Sequence, residues 1–284
     1  MGSDAILLTV RAIESAIVLA TGCAIGSFLN VVIYRIPAGL SLLWPPSRCP
    51  HCLHALGPTE NIPVLGWLRL RGRCAHCHTP IPVRYPLVEA LTGLLFLGLF
   101  FANGATWSIA LFGQWMMASW LLALSAIDLD TLTLPNPLTQ WGVVAGTVLN
   151  TVGAWRPEVA IAANLEAAGA AVFASLVGAL VGLLGLDALR TLASIAFRKE
   201  AMGAGDSKLM AGIGAWLGWT FVPLTLLVAC AIGAAVGSVA IRLDRTRRSQ
   251  PIPFGPFLAI GALVSAVWGR AIVDAYLQFF LPAA

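Results

Sequence analysis

Four cysteines fall in two matching frames, Cys49-Pro-His-Cys52 and Cys74-Ala-His-Cys77, with 21 residues between the pairs. Each C-x-x-C turn presents two sulfurs, and two such turns close a tetrahedron. The spacing therefore predicts a four-thiolate zinc site. Such a site has no open position for water, so its role is structural. Paired free thiols or disulfides are the competing readings, and disulfides are disfavoured in a reducing compartment. The interleaved His51 and His76 read as solvated turn residues, with replacement of a thiolate as the lesser option.

A second group of residues consists of acids beside apolar runs. Asp128 and Asp130 lie in Ile127-Asp-Leu-Asp-Thr-Leu-Thr-Leu-Pro-Asn-Pro137, and Asp206 follows Gly203-Ala-Gly205. Carboxylates at a membrane are costly and are candidates for function by default. Two of them brought together can share a proton. The ionised one then serves as general base for a water, and the protonated one as general acid. Glycines before Asp206 would let a substrate backbone approach. Taken singly, each acid has an ordinary reading too: a flank at the end of a span, or a helix N-cap. Positions i and i+2 on a helix point about 200° apart, so only one of Asp128 and Asp130 can face a partner.

The elements that must carry these groups follow from composition. The chain has 284 residues, 58% hydrophobic and 11% charged, with a mean hydropathy of +0.85. Soluble domains carry roughly a quarter charged residues. Disorder, coiled coil, collagen and a soluble enzyme are excluded, and a protein of the lipid bilayer remains. The net charge of +4 is mild. No phosphate-binding glycine motif is present, and no nucleic-acid partner is expected.

Uncharged runs predict spans at 15–34, 85–102, 107–127, 138–155 and 167–186, two more in 209–241 split near Gly218, and a last one at 254–281. The fold class expected is an all-α polytopic membrane protein of about eight transmembrane helices. The first run is expected to be retained, not cleaved as a signal peptide. Between spans 1 and 2 lies a loop-rich polar insertion, 35–86, with six arginines, Glu60 as its single acid and all four histidines. Lys and Arg also gather at 187–208 (Arg190, Arg198, Lys199, Lys208) and 242–250 (Arg242, Arg245, Arg247, Arg248), while the alternate connections carry almost none. This bias predicts that the insertion and the acids face the cytoplasm, with both termini on the far side. Gly22, Gly26 and Ser27 read as a small-residue packing stripe.

Taken together, Gly26-Ser-Phe-Leu-Asn-Val-Val-Ile-Tyr-Arg-Ile-Pro37, the double C-x-x-C, Gly72-Arg-Cys, Ile81-Pro-Val-Arg-Tyr-Pro-Leu-Val-Glu89, Ile127-Asp-Leu-Asp with Leu134-Pro, and Gly203-Ala-Gly-Asp-Ser-Lys-Leu209 resemble the bacterial prepilin peptidases over about residues 20–220. The resemblance implies a multi-pass inner-membrane aspartic peptidase of the GxGD type. Such an enzyme cuts the basic leader from type IV prepilins or type II secretion pseudopilins at the cytoplasmic face. It also implies N-methylation of the new N-terminus with S-adenosylmethionine. The implied catalytic residues are Asp128 and Asp206, and the implied zinc ligands Cys49, Cys52, Cys74 and Cys77. By resemblance and position, Arg35, Glu60, Asn61 and Glu89 are the candidates for methyl transfer. The expected division is 1–106, with the insertion and the methyltransferase, and 107–284, with the peptidase. Asn136 and Gly66 depart from the family pattern, where an acid and a serine are frequent. A noncatalytic zinc-knuckle scaffold and a proton-coupled transporter are the alternatives. The residues leave the pilin cut and the oligomeric state open.

Overall fold

The computed structural model describes residues 2–198, 202–243 and 252–280. Lys199, Arg245, Arg247 and Arg248, used above for orientation, lie outside these segments. Among the described residues there is no β-strand, only two isolated bridges, Arg48 with Ala55 and Arg73 with Pro80. The helices are α1 (Gly2–Arg35), α2 (Leu65–Arg69), α3 (Arg84–Ala102), α4 (Ile109–Thr131), α5 (Asn136–Ala154), α6 (Ile161–Phe197), α7 (Ala204–Leu217), α8 (Val222–Leu243) and α9 (Gly255–Phe280). Six of them, α1, α3, α4, α6, α8 and α9, are long and apolar enough to cross a membrane. The other two predicted spans correspond to α5 and to the 14-residue α7.

Two boundaries differ from the sequence reading. The first helix begins at Gly2 instead of Ser15 because Arg11 and Glu14 pair at 3.2 Å one turn apart and do not interrupt it. The fifth run continues to Phe197, carried by an Asp187–Arg190 pair at 2.8 Å and an Ala/Leu-rich stretch of good helix formers. Much of the expected 187–208 loop is therefore helix. The breaks at 103–106 and 218–223 fall as expected. Gly104 and Ala105 take positive φ before Ser108 caps α4, and Gly218 takes φ 82° before a 3₁₀ turn, Trp219–Phe221.

The chain divides into two compact units, Met1–Trp107 and Ser108–Ala284. In the first, α1 lies along α3 through the small-residue stripe. A Cβ on Gly22 would sit 2.7 Å from the Gly93 Cα, and one on Gly26 2.7 Å from the Glu89 Cα. In the second, α5 and α6 flank α7, and α4 and α8 pack on α9. Gly178 of α6 and Gly214 of α7 approach so closely that a Cβ on either would run into the other's carbonyl. This is the small-residue packing that membrane helices use in place of a hydrophobic drive. Leu209, Met210 and Ile213 of α7 are fully buried against Leu121, Leu124, Leu186 and Leu258. Phe173, Leu176 and Leu180 of α6 stay exposed, as apolar residues facing lipid would.

Candidate functional site

The insertion holds its cysteines on two copies of one turn. Cys49 N–H bonds the His54 carbonyl at 2.9 Å and Leu53 N–H returns to the Cys49 carbonyl at 3.0 Å. In the second copy Cys74 N–H bonds the Thr79 carbonyl at 2.9 Å and His78 N–H returns to the Cys74 carbonyl at 3.1 Å. Leu53 and His78, each following the second cysteine of its pair, share the left-handed conformation with φ 60° and 56°. Gly72, φ 68°, lets the Trp67 ring pack beneath the second turn, and Trp67 Nε1 donates to the Ile81 carbonyl at 3.0 Å. The Sγ atoms of Cys49 and Cys77 lie 3.7 Å apart and those of Cys52 and Cys74 3.9 Å apart, with all four within 4.8 Å. At metal–sulfur distances of about 2.3 Å, the edge of a tetrahedron is about 3.8 Å. The four thiols thus fit a tetrahedral metal ion.

Three of the four methyl-transfer candidates are engaged with the chain's own backbone. Arg35, the last residue of α1, donates to the carbonyls of Ser41 at 2.9 Å, Leu42 at 3.3 Å and Pro45 at 2.6 Å. Glu60 accepts the Gly57 N–H at 2.8 Å. Glu89 is buried in α3 and accepts the Val64 N–H at 2.6 Å. Val64 carries φ 60°, an unfavourable conformation for a β-branched residue, and the carboxylate fixes it where α2 begins. Asn61 is exposed on the Glu60 turn. Gly66 packs directly on the Glu60 carbonyl, leaving no room there for a Cβ.

In the second unit the connections 132–135 and 203–206 and the start of α9 converge at one end of the bundle. Asp128, in the last turn of α4, is 5% exposed, while Asp130 is exposed. Asp206, in the first turn of α7, is 7% exposed. One Asp128 oxygen accepts the Gly255 N–H at 2.9 Å. A Cβ on Gly255 would lie 2.8 Å from that oxygen, so glycine permits the contact. Gly205 packs on Leu134, and Lys208 Nζ donates to Asn136 Oδ1 at 2.6 Å, tying the start of α7 to that of α5. Asp206 lies outside the six apolar spans. Burial first, and then the charge of Asp128, raise its carboxyl to about 7. A carboxyl group with a backbone donor beside one raised toward neutrality has the chemistry that a general base and a general acid require. Gly255 escaped the sequence reading. Its signal is Pro253-Phe254-Gly255-Pro256, a glycine and proline opening a helix.

Residues 20–103 match the bacterial peptidase A24 N-terminal domain, and residues 115–238 match the type IV leader peptidase family. The chain is 39% identical to a prepilin leader peptidase/N-methyltransferase of Stutzerimonas stutzeri, over 92% of this chain and 93% of that protein. It is 40% identical to one of Aeromonas hydrophila, over 90% and 91%. It is 38% identical to one of Pseudomonas aeruginosa, over 93% and 94%. No solved structure matches the chain.

Proposed function

This chain belongs to the type IV leader peptidase family, and we propose on that premise that it removes the leader from prepilins or pseudopilins and methylates the new N-terminus. The observation that carries the cleavage reading is the pair of buried carboxyls, Asp128 and Asp206, at one end of the second unit. Asp128, oriented by the Gly255 N–H, takes a proton from the attacking water. The water oxygen bonds the scissile carbonyl carbon. Asp206 gives its proton to the leaving amine as the C–N bond breaks. The water's second proton leaves with the new carboxyl group, and the pair is restored with its proton on the opposite member.

Methylation follows cleavage, because the acceptor amine does not exist until the leader is gone. S-adenosylmethionine supplies the methyl group when bound. We assign its handling to the first unit. There Arg35, Glu60 and Glu89 hold the backbone of 41–45, 57–61 and 64, and Asn61 is exposed for contact. We assign zinc to Cys49, Cys52, Cys74 and Cys77 as a structural ion that folds the insertion.

We place the protein in the bacterial inner membrane with the insertion and both acids toward the cytoplasm, following the Lys/Arg bias. The test is processing of a purified prepilin by the purified full chain, read by mass for leader loss and methyl gain. Both changes are expected, and both cleavage and methylation should vanish in Asp206→Asn. A product cleaved at the normal rate by Asp128→Asn and by Asp206→Asn would overturn the peptidase assignment.

A further inference from the structure

Beside the four cysteines stands a second cluster of metal-ligating groups. His54, Glu60 and His76 each offer one ligand atom, all within 4.8 Å of one another. His54 Nε2 is 3.9 Å from Glu60 Oε2, and the two imidazole rings lie 3.5 Å apart between centroids, tilted by 37°. The cysteine turns create this meeting. Cys52 and Cys74 face each other across the two turns at 3.9 Å, and the residue two positions after each is a histidine. Closing the thiolate tetrahedron therefore brings His54 and His76 together. Glu60 completes the group from the following turn, and its carboxylate is oriented by the Gly57 N–H at 2.8 Å. A carboxylate fixed by a backbone donor is the support that metal ligands commonly receive.

We propose that His54, Glu60 and His76 form a second divalent-metal site, of the zinc class, with a coordination position open to solvent. Two imidazoles and a carboxylate suit zinc, cobalt(II) and nickel(II). Three protein ligands leave at least one place for water or an exogenous donor, unlike the closed four-thiolate site. With metal–ligand distances of about 2.1 Å, tetrahedral ligand atoms stand about 3.4 Å apart. The His54–Glu60 separation of 3.9 Å thus needs only a small side-chain adjustment. His76 is exposed, so an ion reaches the site without opening the fold. The site replaces the reading of His76 as a solvated turn residue.

The proposal rests on the four-thiolate assignment for its framework, and one experiment separates the two. The full chain is purified in detergent with its zinc, equilibrated with cobalt(II) and freed of unbound metal. Both metals are then counted and the visible spectrum recorded. Expected are one zinc and one cobalt per chain, with a cobalt spectrum lacking sulfur-to-metal charge transfer. His76→Ala and Glu60→Gln should each weaken cobalt binding by about tenfold or more while zinc stays at one per chain. Glu60 lies outside both turns, so Glu60→Gln decides the matter if His76→Ala also loses zinc. The proposal is overturned if the parent holds no cobalt, if cobalt enters with a thiolate charge-transfer band, or if Glu60→Gln binds cobalt as the parent does. Zinc absent from the parent would instead overturn the four-thiolate assignment.

Discussion

The two units position their chemistry by opposite means. In Met1–Trp107 the four cysteines and Glu60 sit on loops, fixed by backbone hydrogen bonds a few residues away or by a partner turn, and Arg35 and Glu89 reach those loops from α1 and α3. In Ser108–Ala284 the two acids sit at helix ends, and distant helices place them: Asp128 answers to Gly255, 127 positions along the chain. The first arrangement depends on ligands and turns, the second on close helix packing through Gly178 and Gly214. Loops closed by a metal should fail when the metal is lost. A packed bundle should keep its shape when one carboxyl becomes an amide. The two activities should therefore separate under substitution in one direction only, because methylation needs the product of cleavage.

The largest expected effect is in the second unit. Asp128→Asn and Asp206→Asn should each reduce leader removal by about 10²–10⁴-fold or more, the range for loss of a general acid or base. Each variant should insert in the membrane and retain its metal. Mass analysis of the reaction should find neither mature nor methylated product. Next in size is the first unit. Cys74→Ser should remove the metal and unfold 35–86, since a structural site supplies folding energy to a small loop-rich segment. Methylated product should fall far more than cleaved product. Cleavage lost in step with methylation would break the comparison and make the insertion a structural part of the peptidase.

The pH profile sharpens the comparison within the second unit. In the proposed mechanism the pair works with one proton, and burial with the Asp128 charge raises the Asp206 carboxyl to about 7. Below that value the proton is present on the general acid; above it the proton is lost. Cleavage kcat/KM should therefore be level just below pH 7 and fall about tenfold per pH unit above it. Initial rates on a soluble prepilin between pH 6 and 9 check this, and a flat profile on the alkaline side would remove Asp206 from the role of acid.

What could be read without coordinates divides along the same line. The cysteine spacing announced its site because both halves of a turn lie within four residues, and the tetrahedron needs only two turns. Residues 103–106 and 218–223 announced breaks because glycine there meets a conformation other residues avoid. The partners of Asp128, Glu89 and His54 were not legible. The Gly255 amide, the Val64 amide and the His76 ring come from other turns or helices, and local spacing carries no record of them. The length of α6 was hidden because Asp187 and Arg190 look like a charged boundary in the sequence, yet they neutralise each other along one helix face.

The smallest expected effect concerns the neighbour of the first acid. Asp128 and Asp130 have the same chemistry and lie two positions apart, so composition cannot rank them. The helix does. At 3.6 residues per turn their side chains diverge by about 200°. α4 runs to Thr131, so both are still within regular helix. Asp128 turns inward and is 5% exposed, while Asp130 is exposed. Asp130, at the helix surface, lacks the burial that the proposed mechanism uses at Asp128. Asp130→Asn should keep leader removal within about twofold of the parent, since surface substitutions away from a site typically change energies by about 0.5 kcal/mol or less. Measured beside Asp128→Asn under one set of conditions, the pair of variants tests the helix geometry itself. A large loss in Asp130→Asn with a normal rate in Asp128→Asn would mean that α4 presents its other face to the substrate.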